Sequence, residues 1–161
     1  MKRLLILIVV LVVIALAWWL GSPLFIDKKV SEEFPISTSP EGSMQVKTGI
    51  ETSTQIVKSG TFTGFDSIHY GSGTVNLIKA GEEYIVRFED DFNVANGPDL
   101  YVGFGKNGEY KKGSEIARLK GNIGSQNYVL PAEINLDDHN EVWIWCKAFS
   151  VPFAKAILSQ S

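Results

Sequence analysis

Cysteine is almost absent from this sequence, which contains one in 161 residues. The single residue, Cys146, cannot close an intramolecular disulfide, so the stability of the fold has to come from packing. No Cys-x-x-Cys-His motif occurs, and covalently attached haem of the c type is therefore excluded. Apolar residues make up 45% of the chain and aromatic residues 11%, which is sufficient for one core.

Dense runs of lysine and arginine are also missing. Residues 1–29 hold four of the 15 basic residues and one of the 18 acidic residues, which leaves 11 basic against 17 acidic residues in the remainder. A protein that binds the phosphate backbone needs clustered basic residues. Nucleic acid is therefore not an expected partner.

Motifs of hydrolases and metal sites are missing too. The sequence has neither a nucleophile elbow nor a pair of metal ligands at i, i+4 spacing. One acidic group offers oxygen atoms suited to Ca²⁺, but it lacks the spacing of an EF-hand, and we interpret it as solvated turn residues. The group consists of Glu89, Asp90, Asp91, Asn93 and Asp99.

A long apolar run occupies residues 4–20, directly after Lys2 and Arg3, and it closes with two tryptophans. Extended to Ile26, the run reaches the length of about 20 residues that a helix needs to cross a membrane. The tryptophans would then lie at the far interface, and the two basic residues would keep the N-terminus in the cytoplasm. We therefore predict a single transmembrane helix, with the folded domain outside the cytoplasm, in the periplasm or at the cell surface.

Three segments follow from this pattern. Residues 1–29 are predicted to be a membrane anchor, residues 30–50 a flexible tether, and residues 51–161 a β domain. A cleavable signal peptide is the alternative for the first segment, because residues 15–17, Ala-Leu-Ala, resemble a cleavage site. The uncleaved anchor is favoured since the apolar run continues past that site.

The body of the sequence consists of short strand-like runs separated by glycine, asparagine and aspartate. This spacing predicts an all-β fold, either an antiparallel β-sandwich or a barrel-like domain. Residues 74–88 alternate on both sides of a glycine-containing connection and are predicted to form a hairpin. The candidate strands are residues 55–57, 61–65, 73–78, 84–89, 100–104, 116–119, 127–130, 142–149 and 153–158.

The run that contains Cys146 is apolar on both faces. Residues of a strand alternate between its two sides, so Val142, Ile144 and Cys146 lie on one face. Trp143 and Trp145 lie on the other face. We expect a central strand that is covered on both sides, or one whose tryptophan face meets a ligand or partner.

One series of residues in the body has the order of a known domain. The series consists of Phe62, Gly64, His69, residues 72–74, residues 88–94, residues 96–100, residues 119–128, Pro131, residues 145–147, Phe149, Val151, Phe153 and Ala156. Together these residues resemble the DM-thirteen domain, also called the electron-transfer DM domain. The resemblance extends from about residue 59 to about residue 158 and covers the whole predicted β domain.

The resemblance implies a β-strand-rich extracellular or periplasmic module, similar to domains found beside DOMON domains and membrane cytochromes of the b type. The family's cysteine is a proposed redox centre, as a bare thiol or as a haem ligand. Cys146 falls at that position, and His69 falls near the family's histidine. Within these 161 residues no such neighbour is fused, so the expected partner is a separate redox protein, such as a membrane cytochrome or a DOMON-type protein.

Each candidate residue has a structural alternative. A thiolate acts as a nucleophile, a one-electron site or an iron ligand, whereas a free cysteine is commonly a small buried hydrophobe. His69 is either the partner that activates Cys146 or a loop histidine bonded to a backbone carbonyl. Non-covalent haem on Cys146, His69 or His139 stays open, as does copper on these residues with Met44, although His139 is more simply a solvated turn residue.

Two functions follow from these observations. The leading hypothesis is a membrane-tethered redox or electron-transfer accessory domain that acts through Cys146 as a thiol or haem ligand. The alternative is a non-catalytic binding or adhesion module whose buried cysteine is structural. Both hypotheses describe an electron-transfer or binding module rather than an enzyme with its own substrate, and neither assigns a metal ion.

Overall fold

The computed structural model describes residues 2–21, 26–35 and 54–160, so most of the predicted tether, with Met44, lies outside the described residues. One helix, α1, spans Lys2–Gly21. The strands are β1 (Thr54–Gly64), β2 (Gly71–Ser72), β3 (Thr74–Ala80), β4 (Glu83–Phe88), β5 (Asn93–Val94), β6 (Leu100–Lys106), β7 (Glu109–Tyr110), β8 (Ala117–Arg118), β9 (Gln126–Val129), β10 (Glu141–Cys146), β11 (Val151–Ile157) and β12 (Ser159–Gln160).

The prediction of a membrane-spanning helix is wrong. α1 includes the charged residues Lys2 and Arg3 and ends at Gly21, so its apolar part is limited to residues 4–20. Within the described ranges, no helix combines the length and the apolar character that a membrane crossing requires. This finding contradicts the predicted localisation, a single-pass membrane protein with a cytoplasmic N-terminus and an extracytoplasmic domain.

Ten of the strands form one sheet. Eight of them are hydrogen-bonded in the order β7-β6-β10-β11-β1-β3-β4-β9, and in addition β8 pairs with β6 and β12 pairs with β1. The strand pairs of this sheet are antiparallel, and β2 and β5 form a separate antiparallel pair. The sheet curls into a half-barrel. The predicted antiparallel all-β domain is confirmed in this form.

The curl depends on β1, which belongs to both halves of the sheet. Residues 54–61 pair with β3, whereas residues 62–64 pair with β11. A register shift between Ile56 and Lys58 interrupts the ladder, and such irregularities bend a strand. Apolar side chains from both halves therefore meet in one core, whose largest fully buried members include Phe88, Phe92, Phe104, Leu77 and Ile144.

The predicted hairpin of residues 74–88 is confirmed as the β3–β4 pair. Its last paired residues are Ala80 and Glu83, and Gly81 in the connection has a φ of 63°. Glycine adopts this left-handed conformation without the steric cost that a β-carbon brings. The local sequence was sufficient to predict this element because its turn and its alternation are both short-range features.

β10 is a central strand, between β6 and β11. Val142, Ile144 and Cys146 belong to the core, as the alternation predicts. The strand ends at Cys146, earlier than the predicted residue 149, because residues 147–150 form a turn in which Ser150 has a φ of 55°.

The segment of residues 26–35 lies against the loop between β8 and β9. Val30 donates its backbone N–H to the carbonyl oxygen of Ile123 at 2.9 Å. Glu32 donates its N–H to the carbonyl oxygen of Ser125 at 3.0 Å. This segment, which includes the first residues of the predicted tether, is therefore held on the β domain.

Candidate functional site

Cys146 is the last residue of β10. It lies opposite Leu100 of β6 on one side and opposite Val151 of β11 on the other. Its thiol is free, and the residue is completely buried, at 0% exposure. Cys146 and Leu100 belong to the same cluster of apolar side chains, so the thiol faces the core.

The nearest cation in the sequence does not face this thiol. The ammonium group of Lys147 lies over the ring of Tyr101, 5.2 Å from its centroid. Tyr101 pairs with Trp145, whose side chain is on the opposite face of β10 from that of Cys146. Lys147 therefore does not provide the neighbouring positive charge that commonly activates a cysteine.

His69 lies in the loop that follows β1. Its Nδ1 is 2.8 Å from Oδ2 of Asp66, and its ring meets the ring of Phe153 edge to face at a centroid distance of 4.8 Å. No hydrogen bond joins His69 to Cys146 among the residues that the structure describes. The role of His69 as a partner of Cys146 stays a prediction.

Asp66 organises the loop that carries His69. Its Oδ1 accepts the backbone N–H groups of Ile68 at 2.8 Å and His69 at 2.6 Å. The side-chain bond with His69, followed by these backbone bonds, stabilises the ionised carboxylate and lowers the pKa of Asp66 to about 2. The loop is therefore fixed by a carboxylate that stays charged near neutral pH.

His139 is buried, with 5% of its surface exposed. Its Nδ1 is 2.7 Å from the carbonyl oxygen of Asn135, and its ring packs edge-on against Phe104 at 5.9 Å. Its Nε2 has no hydrogen-bond partner in the described part of the chain. The interpretation of His139 as a solvated turn residue is wrong, because the ring packs against a core side chain.

The residues proposed for copper are not brought together. His69 is bonded to Asp66, His139 is bonded to Asn135, and Cys146 lies in the core. In residues 2–21, 26–35 and 54–160, no group of three metal-ligating side chains occurs.

Haem needs an open cleft beside its axial ligand. Cys146 has no exposed surface. Two surface pockets of about 590 and 660 Å³ occur in the described part, and neither has Cys146 or His69 in its wall. The buried position of Cys146 therefore does not fit haem bound through its thiol, whereas haem bound through His69 stays a prediction.

The tryptophan face of β10 is covered by the chain itself. Tyr110 stacks on Trp145, with the ring centroids 4.3 Å apart and the planes 5° apart. A β-carbon at Gly103 would collide with Tyr110, and one at Gly105 would collide with Trp143, so the absence of side chains makes room for both aromatic residues. The expectation of a strand covered on both sides is confirmed.

A buried carboxylate that sequence reasoning missed lies on this face. Glu141 is 2% exposed. Its Oε1 accepts the N–H of Gly108 at 2.8 Å, and its Oε2 accepts the indole N–H of Trp143 at 3.0 Å. The ammonium group of Lys155 lies 3.7 Å away. Burial of this charge is thus compensated, which indicates a structural role.

The acidic group around residue 90 is used for hydrogen bonding. The two carboxylate oxygens of Asp91 accept the N–H and the hydroxyl of Thr74, both at 2.8 Å. Glu89 accepts bonds from Asn76 at 2.7 Å and from Arg87 at 2.9 Å. These two carboxylates therefore stabilise the open end of the β3–β4 hairpin through hydrogen bonds.

A pocket that sequence reasoning missed lies between the segment of residues 26–35 and two loops of the domain. We call it the loop pocket. Its volume is about 590 Å³, and its wall consists of residues 26–28, residues 96–98, Leu100 and residues 118–122. Many of these residues carry the family resemblance noted above, which was the one trace of the pocket in the sequence.

Fold and site together define a class, that of small antiparallel β domains with one free, buried cysteine. The family model for Electron transfer DM13 matches residues 62–158. The chain belongs to this family, which indicates a function related to electron transfer. No curated protein and no solved structure matches the chain.

Proposed function

We propose that this domain is a non-catalytic, partner-binding module of an electron-transfer system. Its partner would be a separate redox protein, such as a cytochrome or a DOMON-type protein, and Cys146 would serve as a packing residue. The observation that carries this proposal is the complete burial of Cys146 in the apolar core. Thiol exchange and nucleophilic catalysis require a thiolate that an incoming group can reach.

Exposed apolar side chains support the binding role. Phe65, Ile68, Tyr70 and Phe149 are 43%, 74%, 46% and 69% exposed, respectively. They lie on the loops at the end of the sheet where Cys146 terminates β10, and we call them the apolar loop end. Large exposed apolar side chains on neighbouring loops are typical of sites where proteins bind one another, and the strand pairing places these loops at the same end of the sheet.

The loops of the apolar loop end are connected by backbone hydrogen bonds. Ala95 donates its N–H to the carbonyl oxygen of Tyr70 at 3.0 Å. Lys147 donates its N–H to the carbonyl oxygen of Asp99 at 2.9 Å. Because a loop that is already ordered loses less entropy on binding, this surface is suited to a protein partner.

Calorimetric titration tests the binding role. The full chain would be titrated with purified DOMON-type and b-type cytochrome proteins of the same organism. The double variant Ile68→Ser, Phe149→Ser is expected to bind at least about tenfold more weakly, since a few apolar anchors dominate most interfaces. Val129→Ser is the matched control, because Val129 is 59% exposed but lies on β9. Equal affinities for all three proteins would contradict the proposal.

Cys146 as a redox thiol is the second candidate. Leu100, its paired residue on β6, also lines the loop pocket. In this candidate, the thiol gives one electron to the oxidised partner and its proton to His69. The Nε2 atom of His69 makes no hydrogen bond within the described residues and would be the acceptor.

Two substitutions separate the candidates. If Cys146 is a redox thiol, the wild-type chain reduces the oxidised cytochrome, and Cys146→Ser and Cys146→Ala both abolish this electron transfer. If it is a packing residue, the wild-type chain and Cys146→Ala both transfer no electrons to the oxidised cytochrome and bind it with equal affinity. Cys146→Ser then loses about 1–3 kcal/mol of unfolding free energy, because its hydroxyl lacks a partner in the apolar core.

A further inference from the structure

The loop pocket has an apolar wall. Leu100, Leu119 and Pro98 contribute hydrocarbon surface from the domain, and Ile26 contributes it from the N-terminal segment. The volume of about 590 Å³ lies within the range of roughly 300–1,000 Å³ that is usual for small-molecule sites. The pocket is therefore large enough for the apolar body of a small ligand.

The wall of the loop pocket contains cationic side chains with donors suited to an anionic group. Three cationic side chains, those of Lys28, Arg118 and Lys120, line the pocket against the single carboxylate of Asp27. Lys120 is paired with Glu32 at 2.7 Å, but Lys28 forms no ion pair among the described residues. Arg118 lies 3.4 Å from Asp99, so the three cations are balanced by Asp27, Glu32 and Asp99, and an anion would be bound by the exposed donors of Lys28 and Arg118 rather than by a net charge.

Arg118 is held at the pocket with donors to spare. Its Nη2 donates to the carbonyl oxygen of Pro98 at 2.9 Å and lies 3.4 Å from the carboxylate of Asp99. A guanidinium group has five N–H donors, and 64% of this side chain remains exposed. Its other donors make no hydrogen bond with the described residues and are available to an anionic head group.

The polar frame of the pocket is already ordered. The Oδ1 atom of Asp27 accepts hydrogen bonds from the side-chain amides of Asn96 and Asn122, both at 2.9 Å. Asn122 is 4% exposed, and its own Oδ1 accepts the backbone N–H of Lys28 at 2.6 Å. Because the wall is assembled in advance, binding would order few additional groups.

We propose that the loop pocket binds a small organic anion with an apolar body, of the class of medium-chain carboxylates. The hydrocarbon chain packs against Leu100 and Leu119, and the carboxylate is bound by Arg118 and Lys28. The site depends on neither the redox state nor the accessibility of Cys146. A test of ligand binding at this pocket is therefore independent of the test of the proposed function.

The test is a titration of the ¹⁵N-labelled full chain with octanoate, followed by amide chemical shifts. Saturable shifts are expected in residues 96–100 and 118–122. Octanol has the chain without the charge, and acetate has the charge without the chain. Both are expected to bind roughly tenfold or more weakly than octanoate, because each lacks one of the two interactions. Equal binding of octanol and octanoate, or shifts confined to α1, would overturn the proposal.

Substitutions identify the head-group site. Arg118→Gln and Lys28→Gln each remove one charge at the pocket and are expected to weaken octanoate binding several-fold. Lys112→Gln is the charge-matched control, because Lys112 is exposed and does not line the pocket. Unchanged affinity in both pocket variants would overturn the assignment.

Discussion

Cys146 and Leu100 lie directly opposite each other in the β10–β6 pair, and Leu100 is 5% exposed while Cys146 is 0% exposed. Leu100 is also the core residue that lines the loop pocket. The isolation of the thiol therefore depends on the packing of this neighbour. We expect the Leu100 side chain to be the barrier between the thiol and the loop pocket.

Leu100→Ala tests this barrier. The substitution is expected to destabilise the fold by about 2–5 kcal/mol and to leave a cavity beside the thiol. Under native conditions, a thiol reagent is expected to label Cys146 of the variant faster than it would if labelling required global unfolding.

Leu77→Ala is the control for that experiment. Leu77 is 1% exposed and lies on β3, so its truncation has a similar cost without opening a path from the loop pocket. If both variants label at the rates that their unfolding free energies predict, Leu100 is not the barrier.

The loop of Asp66 is expected to lose its order at low pH. The folded-state pKa of Asp66, about 2, lies below the ordinary value of 3.8. A carboxyl group with a lowered pKa contributes its stabilisation in full above its ordinary pKa and loses it as the pH falls through its folded value. The amide signals of Ile68 and His69 are therefore expected to change between about pH 4 and pH 2. In Asp66→Asn the same signals should be altered already at neutral pH; wild-type-like signals in that variant would show that the carboxylate does not hold the loop.

Loss of the hydroxyl group is expected to change the free energy of unfolding differently at Tyr110 and at Tyr128. The Tyr128 hydroxyl accepts the N–H of Lys120 at 3.0 Å and donates to Oε1 of Gln126 at 2.6 Å. The buried Tyr110 hydroxyl makes no well-formed hydrogen bond among the described residues, although the side chains of Ser114 and Glu115 lie near it. Tyr128→Phe should cost about 1–3 kcal/mol, and Tyr110→Phe should be neutral or stabilising. Urea unfolding of both variants measures the difference, and equal losses would contradict it.

The docking of residues 26–35 is expected to depend on Glu32. Its carboxylate accepts bonds from the Lys120 ammonium group at 2.7 Å and from the N–H of Asn127 at 2.8 Å. Glu32→Gln should therefore speed hydrogen exchange at the amide of Val30. Glu33→Gln is the control, because Glu33 contributes only its carbonyl oxygen to hydrogen bonds in the described part. Equal exchange in the two variants would assign the docking to the backbone alone.

The inward position of Cys146 could be predicted because alternation along a strand is a local property. The β3–β4 hairpin was predictable for the same reason. The end of β10 could not be predicted, because Ser150 adopts a positive φ although it is neither a glycine nor an asparagine. Apolar composition alone suggested a membrane helix, but no helix of the described residues is long and apolar enough to cross a membrane.

The loop pocket could not be predicted because its contacts join distant parts of the chain. Asp27 bonds Asn96 and Asn122, and no local pattern relates these three residues. The buried position of His139 was hidden in the same way by the polar residues around it in the sequence. Such sites become visible only when the sheet has brought the loops together.

The most direct test of the account is the reaction of the native full chain with a thiol-specific reagent. Cys146 is the only cysteine, so the signal has one source. A packing cysteine is expected to react no faster than the protein unfolds, and to react completely once denaturant is added. Stoichiometric labelling of the folded protein within the mixing time would contradict the account and assign the thiol to redox chemistry.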